Sequence, residues 1–320
     1  MRLRLPISIL AALAIAGCGS HASAPRPRNA RLILDFTPNA VHAGIYSALA
    51  RHYDRSSGLR LRVVVPGATT DSIKLLEAGR VDFAVLDIHD LAIARQAGQD
   101  LVGIMALVER PLSAVVAGPS IRTPRQLQGR LVGITGVPSD TAVLRSVVAG
   151  AGGEPKRVRT ITIGFNAVPD LLAGRVSAAT AFWNDEGVTL ASKRPGFHSF
   201  RVEDYGAPGY PELVVTATAS ELRREPALAR ELVRTLTRGY AFTVAHPAQS
   251  ARDLERLVAG LDPKLVSAQL NALLSAFRGR GGRIGALGPA TLRRWASWEA
   301  QFGIVKRPPD VSTLFDARFQ

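Results

Sequence analysis

From Arg31 onward, short apolar runs alternate with segments of helical periodicity, which predicts an α/β fold with mostly parallel strands. Arg31–Leu34, Leu59–Val65, Val81–Leu86, Leu101–Val108 and Ser113–Ala117 read as strands. Between them lie Val41–Arg51, with small apolar residues on one face, Ser72–Ala78, which stops at Gly79, and a helical stretch ending at Ala97. A second unit begins near Ile121. Its short helix leads to a strand ending near Thr135, then GVPSD caps a helix to about Ala149. Arg159–Ile163 and Val176–Phe182 are its next strands, separated by GFNAVPDLLAG. Leu213–Thr218 reads as a strand returning to the first unit, and the pattern is helical from Ser220 to Trp298.

The two units echo each other. LRVVVPGATTDSIKLLEAGRVDFAVLDIHD and VRTITIGFNAVPDLLAGRVSAATAFWNDE share strand, loop, helix, AGRV and strand in one order. Gly79 and Gly174 fall where a helix needs a left-handed residue before the next strand, so AGRV has a structural explanation. The echo predicts two similarly built α/β domains, with DIHD and WNDE at equivalent strand ends. Open α/β sheets bind ligands at the carboxyl ends of their strands. Facing domains would therefore bring Asp35–His42, Gly67–Asp71, Asp87–Asp90, Gly136–Asp140 and Trp183–Glu186 to one cleft.

The first stretch stands apart from this pattern. MRLRLPISILAALAIAGC has Arg2 and Arg4 ahead of an apolar run of ~13 residues, short of the ~20 that span a bilayer. The small residues before Cys18 resemble a lipobox, and Cys18 is the one cysteine of the chain. The body therefore has no intramolecular disulfide, cysteine metal cluster or cysteine nucleophile. GSHASAPRPRNA then reads as a tether. The formal charge of +14 raises the question of nucleic acid. The arginines are dispersed, however, and RGRGGR lacks interleaved aromatics, so a solvated surface near an anionic envelope fits better.

Candidate chemistry concentrates at the strand ends. Asn39 is a good helix N-cap in a turn shaped by Pro38, and equally a ligand contact, with His42 one turn on. Thr70, Asp71, Ser139 and Asp140 read as N-caps whose helices also offer free N–H groups. Trp183, Asn184, Asp185 and Glu186 suit a planar, nitrogen-rich ligand: the indole stacks and a carboxylate accepts from amino groups. Phe36 is placed to supply a second aromatic face. His89 between Asp87 and Asp90 lacks the further spaced ligands a metal needs, and hydrogen bonding suits it better. His21, His52, His198 and His246 read as surface or structural. Nucleophile-elbow, Walker and zincin motifs are absent.

FTPNAVHAGIY, VVVPGATTD, AGRVDFAV, FWNDEGV and GAPGYPELV resemble the substrate-binding proteins of ABC importers for thiamine-type pyrimidine precursors, from about Leu32 to about Val311. The resemblance implies a two-domain periplasmic-binding-protein fold of type II, with mixed sheets, helices on both faces and a ligand cleft between domains. Domain I would comprise 31–117 and 213–320, with the C-terminal helices, and domain II 118–212. They would follow a signal peptide over 1–17 and a lipidated N-terminus and tether over 18–30. The ligand would be a hydroxymethyl- or formylamino-pyrimidine held between aromatic side chains. The matching positions are Phe36, Asn39, His42, Trp183, Asn184, Glu186 and, as lid or hinge, Tyr210. Asp87, His89, Ser139 and Asp140 complete the expected contacts. The family often has Trp where this chain has Phe36, which leaves room for a different or larger ligand.

The implied role is a monomeric receptor without cofactor or metal, anchored through Cys18 to the outer membrane face and delivering cargo to a permease and ATPase. Riboflavin, or another small aromatic or sulfonate solute, is the alternative cargo. The superfamily also includes a pyrimidine synthase that uses pyridoxal phosphate on a lysine and consumes a histidine near the place of His89. The five lysines here (Lys74, Lys156, Lys193, Lys264 and Lys306) are expected to lie away from the cleft, which disfavours an exported enzyme.

Overall fold

The computed structural model describes residues 27–67, 71–278 and 282–320. The leader, Cys18, most of the tether and Thr70 lie outside them. The strands are β1 (Arg28–Ile33), β2 (Leu59–Val64), β3 (Phe83–Asp87), β4 (Leu101–Ala106), β5 (Ser113–Ala117), β6 (Leu131–Ile134), β7 (Arg159–Thr162), β8 (Ala178–Phe182), β9 (His198–Arg201) and β10 (Leu213–Thr218). They form two five-stranded sheets, ordered β2-β1-β3-β10-β4 and β7-β6-β8-β5-β9. In each sheet three parallel strands are followed by one antiparallel strand and then an edge strand. The echo in the sequence is thus an echo in topology, since β2-β1-β3 corresponds to β7-β6-β8. Gly79 and Gly174 take φ of 63° and 69°, as a left-handed helix end requires.

Two expectations need correction. The sequence reading groups Ser113–Ala117 with the first unit, but β5 pairs antiparallel with β8 and β9 and belongs to the second sheet. A run of five small and β-branched residues does not reveal its partner. The first strand also starts earlier than expected, because Arg28–Ala30 pair in parallel with Leu59–Leu61.

Central strands are apolar throughout: Phe83, Ala84, Val85 and Leu86 of β3 are buried, as befits a strand covered on both faces. The helices Pro226–Ala245, Pro247–Leu257, Pro263–Leu273 and Pro289–Gln301 each open on a proline, whose fixed φ and missing N–H suit a first turn. The first of these crosses the helix Ala43–Ala50 at Gly44 and Gly239. A Cβ on Gly239 would lie 2.0 Å from the Gly44 carbonyl oxygen, so the crossing demands glycine.

Two chain crossings join the lobes, one before β5 and one before β10, and Glu212 ties them together. Its fully buried carboxylate accepts from the N–H of Leu112, the N–H of Ser113 at 2.7 Å and the Ser113 hydroxyl at 2.8 Å.

Candidate functional site

A cavity of about 400 Å³ lies between the lobes. Its walls come from segments that follow parallel strands: Asp35 and Phe36 after β1, the Asp71–Glu77 helix after β2, Asp87 and Asp90 at and after β3. From the second lobe come Thr135 to Asp140 after β6, Phe165 after β7, and Phe182, Asp185 and Glu186 at and after β8. Phe36 and Phe165 meet edge to face from opposite lobes, with ring centroids 4.3 Å apart and planes at 69°.

Beyond β8 the backbone makes one wide π-helical turn, Trp183–Gly187. Such turns interrupt regular hydrogen bonding and are frequent at functional sites. This one carries Glu186 back to the strand end, where its Oε2 accepts the Phe182 N–H at 3.0 Å. Burial, reinforced by the charge of Asp185, pushes the Glu186 carboxyl up to about 8. Burial also raises Asp185 to about 6, opposed by His42 and by a hydrogen bond from Gln269 of the C-terminal helices. Asp35 completes this end of the cavity and accepts from His42 Nε2 at 2.9 Å.

The other polar wall pairs Asp90 with Ser139 and Asp140 across the cleft. Asp90 accepts the Ser139 N–H at 3.1 Å, and burial lifts its carboxyl to about 7, the Ser139 hydrogen bonds opposing and the charge of Asp140 assisting. Asp140 accepts from Thr135 Oγ1 at 2.7 Å, the Gly136 N–H at 2.6 Å and Thr180 Oγ1 at 2.9 Å. Asp87 lines the same cavity, and its Oδ1 caps the following helix through the His89 N–H at 2.7 Å.

Of the residues expected to contact ligand, Phe36, Asp87, Ser139, Asp140 and Glu186 line the cavity, and six do not. Asn39 caps the turn Ala40–His42: its Oδ1 accepts the Val41 N–H at 2.9 Å while His42 Nδ1 accepts the Asn39 N–H at 3.2 Å. The capping box consumes both side chains, and His42 reaches the cavity only through Asp35. Trp183 turns to the crossing, donating Nε1–H to the Pro111 carbonyl at 2.9 Å, with the Arg201 guanidinium 4.0 Å from its ring. Asn184 is buried beside it, and no group among the described residues pairs its amide. Tyr210 is fully buried, stacked on Trp298 at 5.9 Å, and its hydroxyl lies 3.0 Å from His89 Nε2.

His89 sits in a buried network. Its Nδ1 meets Glu299, with the Trp295 N–H at 3.3 Å, and Tyr210 occupies Nε2. Burial pushes the imidazole down, but Glu299, Asp87 and Glu212 together outweigh it and raise it to about 10. Asp87, His89 and Glu212 bring possible metal-ligand atoms within 4.8 Å of one another. Both imidazole nitrogens and both Glu212 oxygens already have hydrogen-bond partners, so the cluster is a filled network rather than an open coordination site.

Several wall residues were not among the expected ligand contacts, although Asp35, Asp90 and Asp185 lie inside the stretches expected at the cleft. Phe165 and Phe182 replace Trp183 as aromatic neighbours of Glu186, and Asp35, Asp90 and Asp185 join the carboxylates. Of the two phenyl rings only Phe182 carried a signal, as the last apolar residue of a strand. Lys74 also lines the cavity, correcting the expectation that no lysine is near. The residues fit a phosphorylated cofactor poorly: Lys74 stands among seven carboxylates as the one basic side chain of the described wall, and His89 lies outside it.

Two mixed sheets joined by two crossings around a ligand-sized chamber are the arrangement of the periplasmic-binding-protein fold. The alkanesulfonate-binding protein SsuA of Xanthomonas axonopodis superposes with a TM-score of 0.72 at 16% identity, covering 92% of this chain and 99% of its own. The chain belongs to the NMT1/THI5-like family, whose model matches residues 39–250. The formylaminopyrimidine-binding protein of Halalkalibacterium halodurans is 28% identical over 247 residues, 76% of this chain and 75% of that one. The riboflavin-binding protein RibY of Chloroflexus aurantiacus is 25% identical over 278 residues, 78% of this chain and 77% of that one. A 4-amino-5-hydroxymethyl-2-methylpyrimidine phosphate synthase of Legionella pneumophila is 21% identical over 231 residues, 68% and 70% of the two chains.

Proposed function

We propose that this protein is the extracytoplasmic solute receptor of an ABC importer, held at the membrane through Cys18, and that it captures an aminopyrimidine precursor of thiamine. The observation that carries this reading is Glu186, a carboxyl raised to about 8 beside Phe36, Phe165 and Phe182 in a chamber shared by two lobes. A carboxyl titrating there donates to or accepts from the amino and ring-nitrogen edge of an aminopyrimidine, while the phenyl rings cover its faces. Ligand contacts on both lobes favour the closed form by their differential affinity, and the closed form is what a permease would recognise. His89 is locked in the Glu299 network outside the cavity that Lys74 lines, which favours the receptor reading over the synthase chemistry named for some relatives.

Riboflavin is the second reading, favoured by a chamber of about 400 Å³, which exceeds what one pyrimidine ring fills. A sulfonate is disfavoured by seven wall carboxylates and no wall arginine among the described residues. Calorimetric titration with hydroxymethyl- and formylamino-pyrimidines, riboflavin and taurine tests the reading. Saturable binding of a pyrimidine is expected; binding of riboflavin alone would replace the cargo, and binding of taurine alone would overturn the carboxylate argument.

A further inference from the structure

The chamber reaches beyond the strand ends, and the excess has a direction. Asp90, Ile93, Ala94 and Ala97 all line it, from the helix Ile88–Gln96 and its C-cap. Their spacing puts them on one helical face, and the rise from Asp90 to Ala97 is about 10 Å. The cavity therefore follows this helix from Asp90, at the cleft, to the helix's far end. The helix Asp71–Glu77 supplies Ile73, Lys74 and Glu77 to the same cavity. The two helices meet across its far end, where Glu77 Oε2 accepts from Gln99 Nε2 at 2.8 Å. They thus flank an arm of the chamber that leads out of the cleft into the first lobe.

The arm is apolar where the cleft is not. Beyond Asp90 the helix Ile88–Gln96 and its C-cap offer the cavity only Ile93, Ala94 and Ala97, while Lys74 and Glu77 of the other helix are exposed. Ile73 and Ile93 pack against the apolar core and are still only half-buried. Isoleucine surface left to water inside a cavity is a free-energy cost that an apolar occupant removes.

We propose that the cargo is a pyrimidine carrying an apolar extension, with its ring at Glu186 and the extension in the arm between these two helices. This rests on the receptor reading above and deepens it by naming what the rest of the chamber takes. Ile73 and Ile93 are then specificity residues, favouring the extended compound over the bare hydroxymethylpyrimidine.

The test compares 4-amino-5-hydroxymethyl-2-methylpyrimidine with its butyl ether, by calorimetry on the whole protein. Each methylene taken from water is worth about fourfold in affinity, less what ordering the chain costs. The ether should therefore bind at least about tenfold tighter, with a more negative heat-capacity change. Ile93→Trp, which fills the arm, should bring the affinity ratio to about one. Ile93→Ser, which puts a hydroxyl in the apolar wall without adding volume, should lower the ratio at least about threefold. A ratio of about one or below in the unaltered protein, or a ratio unmoved in either variant at unchanged melting temperature, would overturn the extension and leave the receptor reading standing. Failure of both compounds to bind would sink the receptor reading, and this proposal with it.

Discussion

Replacing Glu212 with alanine should destabilise the protein more than any single change at the cavity wall. The carboxylate is fully buried and accepts three hydrogen bonds at the start of β5: two backbone N–H groups and the Ser113 hydroxyl. The hydroxyl can rotate toward another acceptor, but the two N–H groups cannot. Stranding a buried donor costs about 1–3 kcal/mol, so two cost about 2–6 kcal/mol. Losing the attraction of His89, whose Nε2 lies 3.7 Å away, opposes relief from the repulsion of Asp87, and the two are taken to offset. A loss of about 4 kcal/mol follows. Urea unfolding reads it as a lower midpoint at unchanged slope. Ser113→Ala, which removes only the hydroxyl contact, should cost about 1 kcal/mol. A loss below about 1 kcal/mol in Glu212→Ala would mean that the carboxylate does not tie the two crossings together.

Stability of the ligand-free protein should rise as pH falls from about 8.5 to about 5.5. Asp90, Asp185 and Glu186 titrate at about 7, 6 and 8, above ordinary carboxyl values, so the folded chain holds their protons more tightly than the unfolded chain. Their contribution is complete below about pH 4 and is lost as pH rises through those values. His89, raised to about 10, acts in the same direction at higher pH. Glu186→Gln should flatten the slope in a melting-temperature series, and an unchanged slope would contradict the burial of that carboxyl. Trp183→Phe should lower stability by about 1 kcal/mol through the lost bond to Pro111 while leaving ligand affinity within about threefold. Phe165→Ala should instead weaken binding about tenfold with little effect on stability, and the opposite pattern would move the aromatic wall back to Trp183.

The fold was legible where pattern reflects burial on both faces. The runs that became β3 and β8, and the left-handed glycines Gly79 and Gly174, were enough to pair the two halves. The allegiance of β5 was not legible, because small apolar residues suit either sheet equally. At the site, the stretches that meet at the cleft were readable from strand ends, whereas the direction of single side chains was not. Asp35, Asp90 and Asp185 lay inside the expected stretches beside the residues singled out. The large indole of Trp183 drew the reading away from Phe182, its immediate neighbour. Which of the two faces the cavity depends on the π-helical turn, a backbone choice without a sequence signature of its own. Asn39 and His42 look like ligand groups because capping and binding use the same atoms; the capping box decides for the backbone. Phe165 had no signal, since its role comes from contact with Phe36 across the lobes.

The central claim is that the Glu186 carboxyl reads an aminopyrimidine in the chamber between the lobes. The most direct measurement is the affinity of 4-amino-5-hydroxymethyl-2-methylpyrimidine for the unaltered protein and for Glu186→Gln. Loss of a charge-assisted hydrogen-bond pair should weaken binding by about 2–3 kcal/mol, on the order of 30- to 150-fold, with the fold retained. Equal affinity in the two proteins would contradict the account, because the pyrimidine would then be bound by something other than the carboxyl around which the site is built.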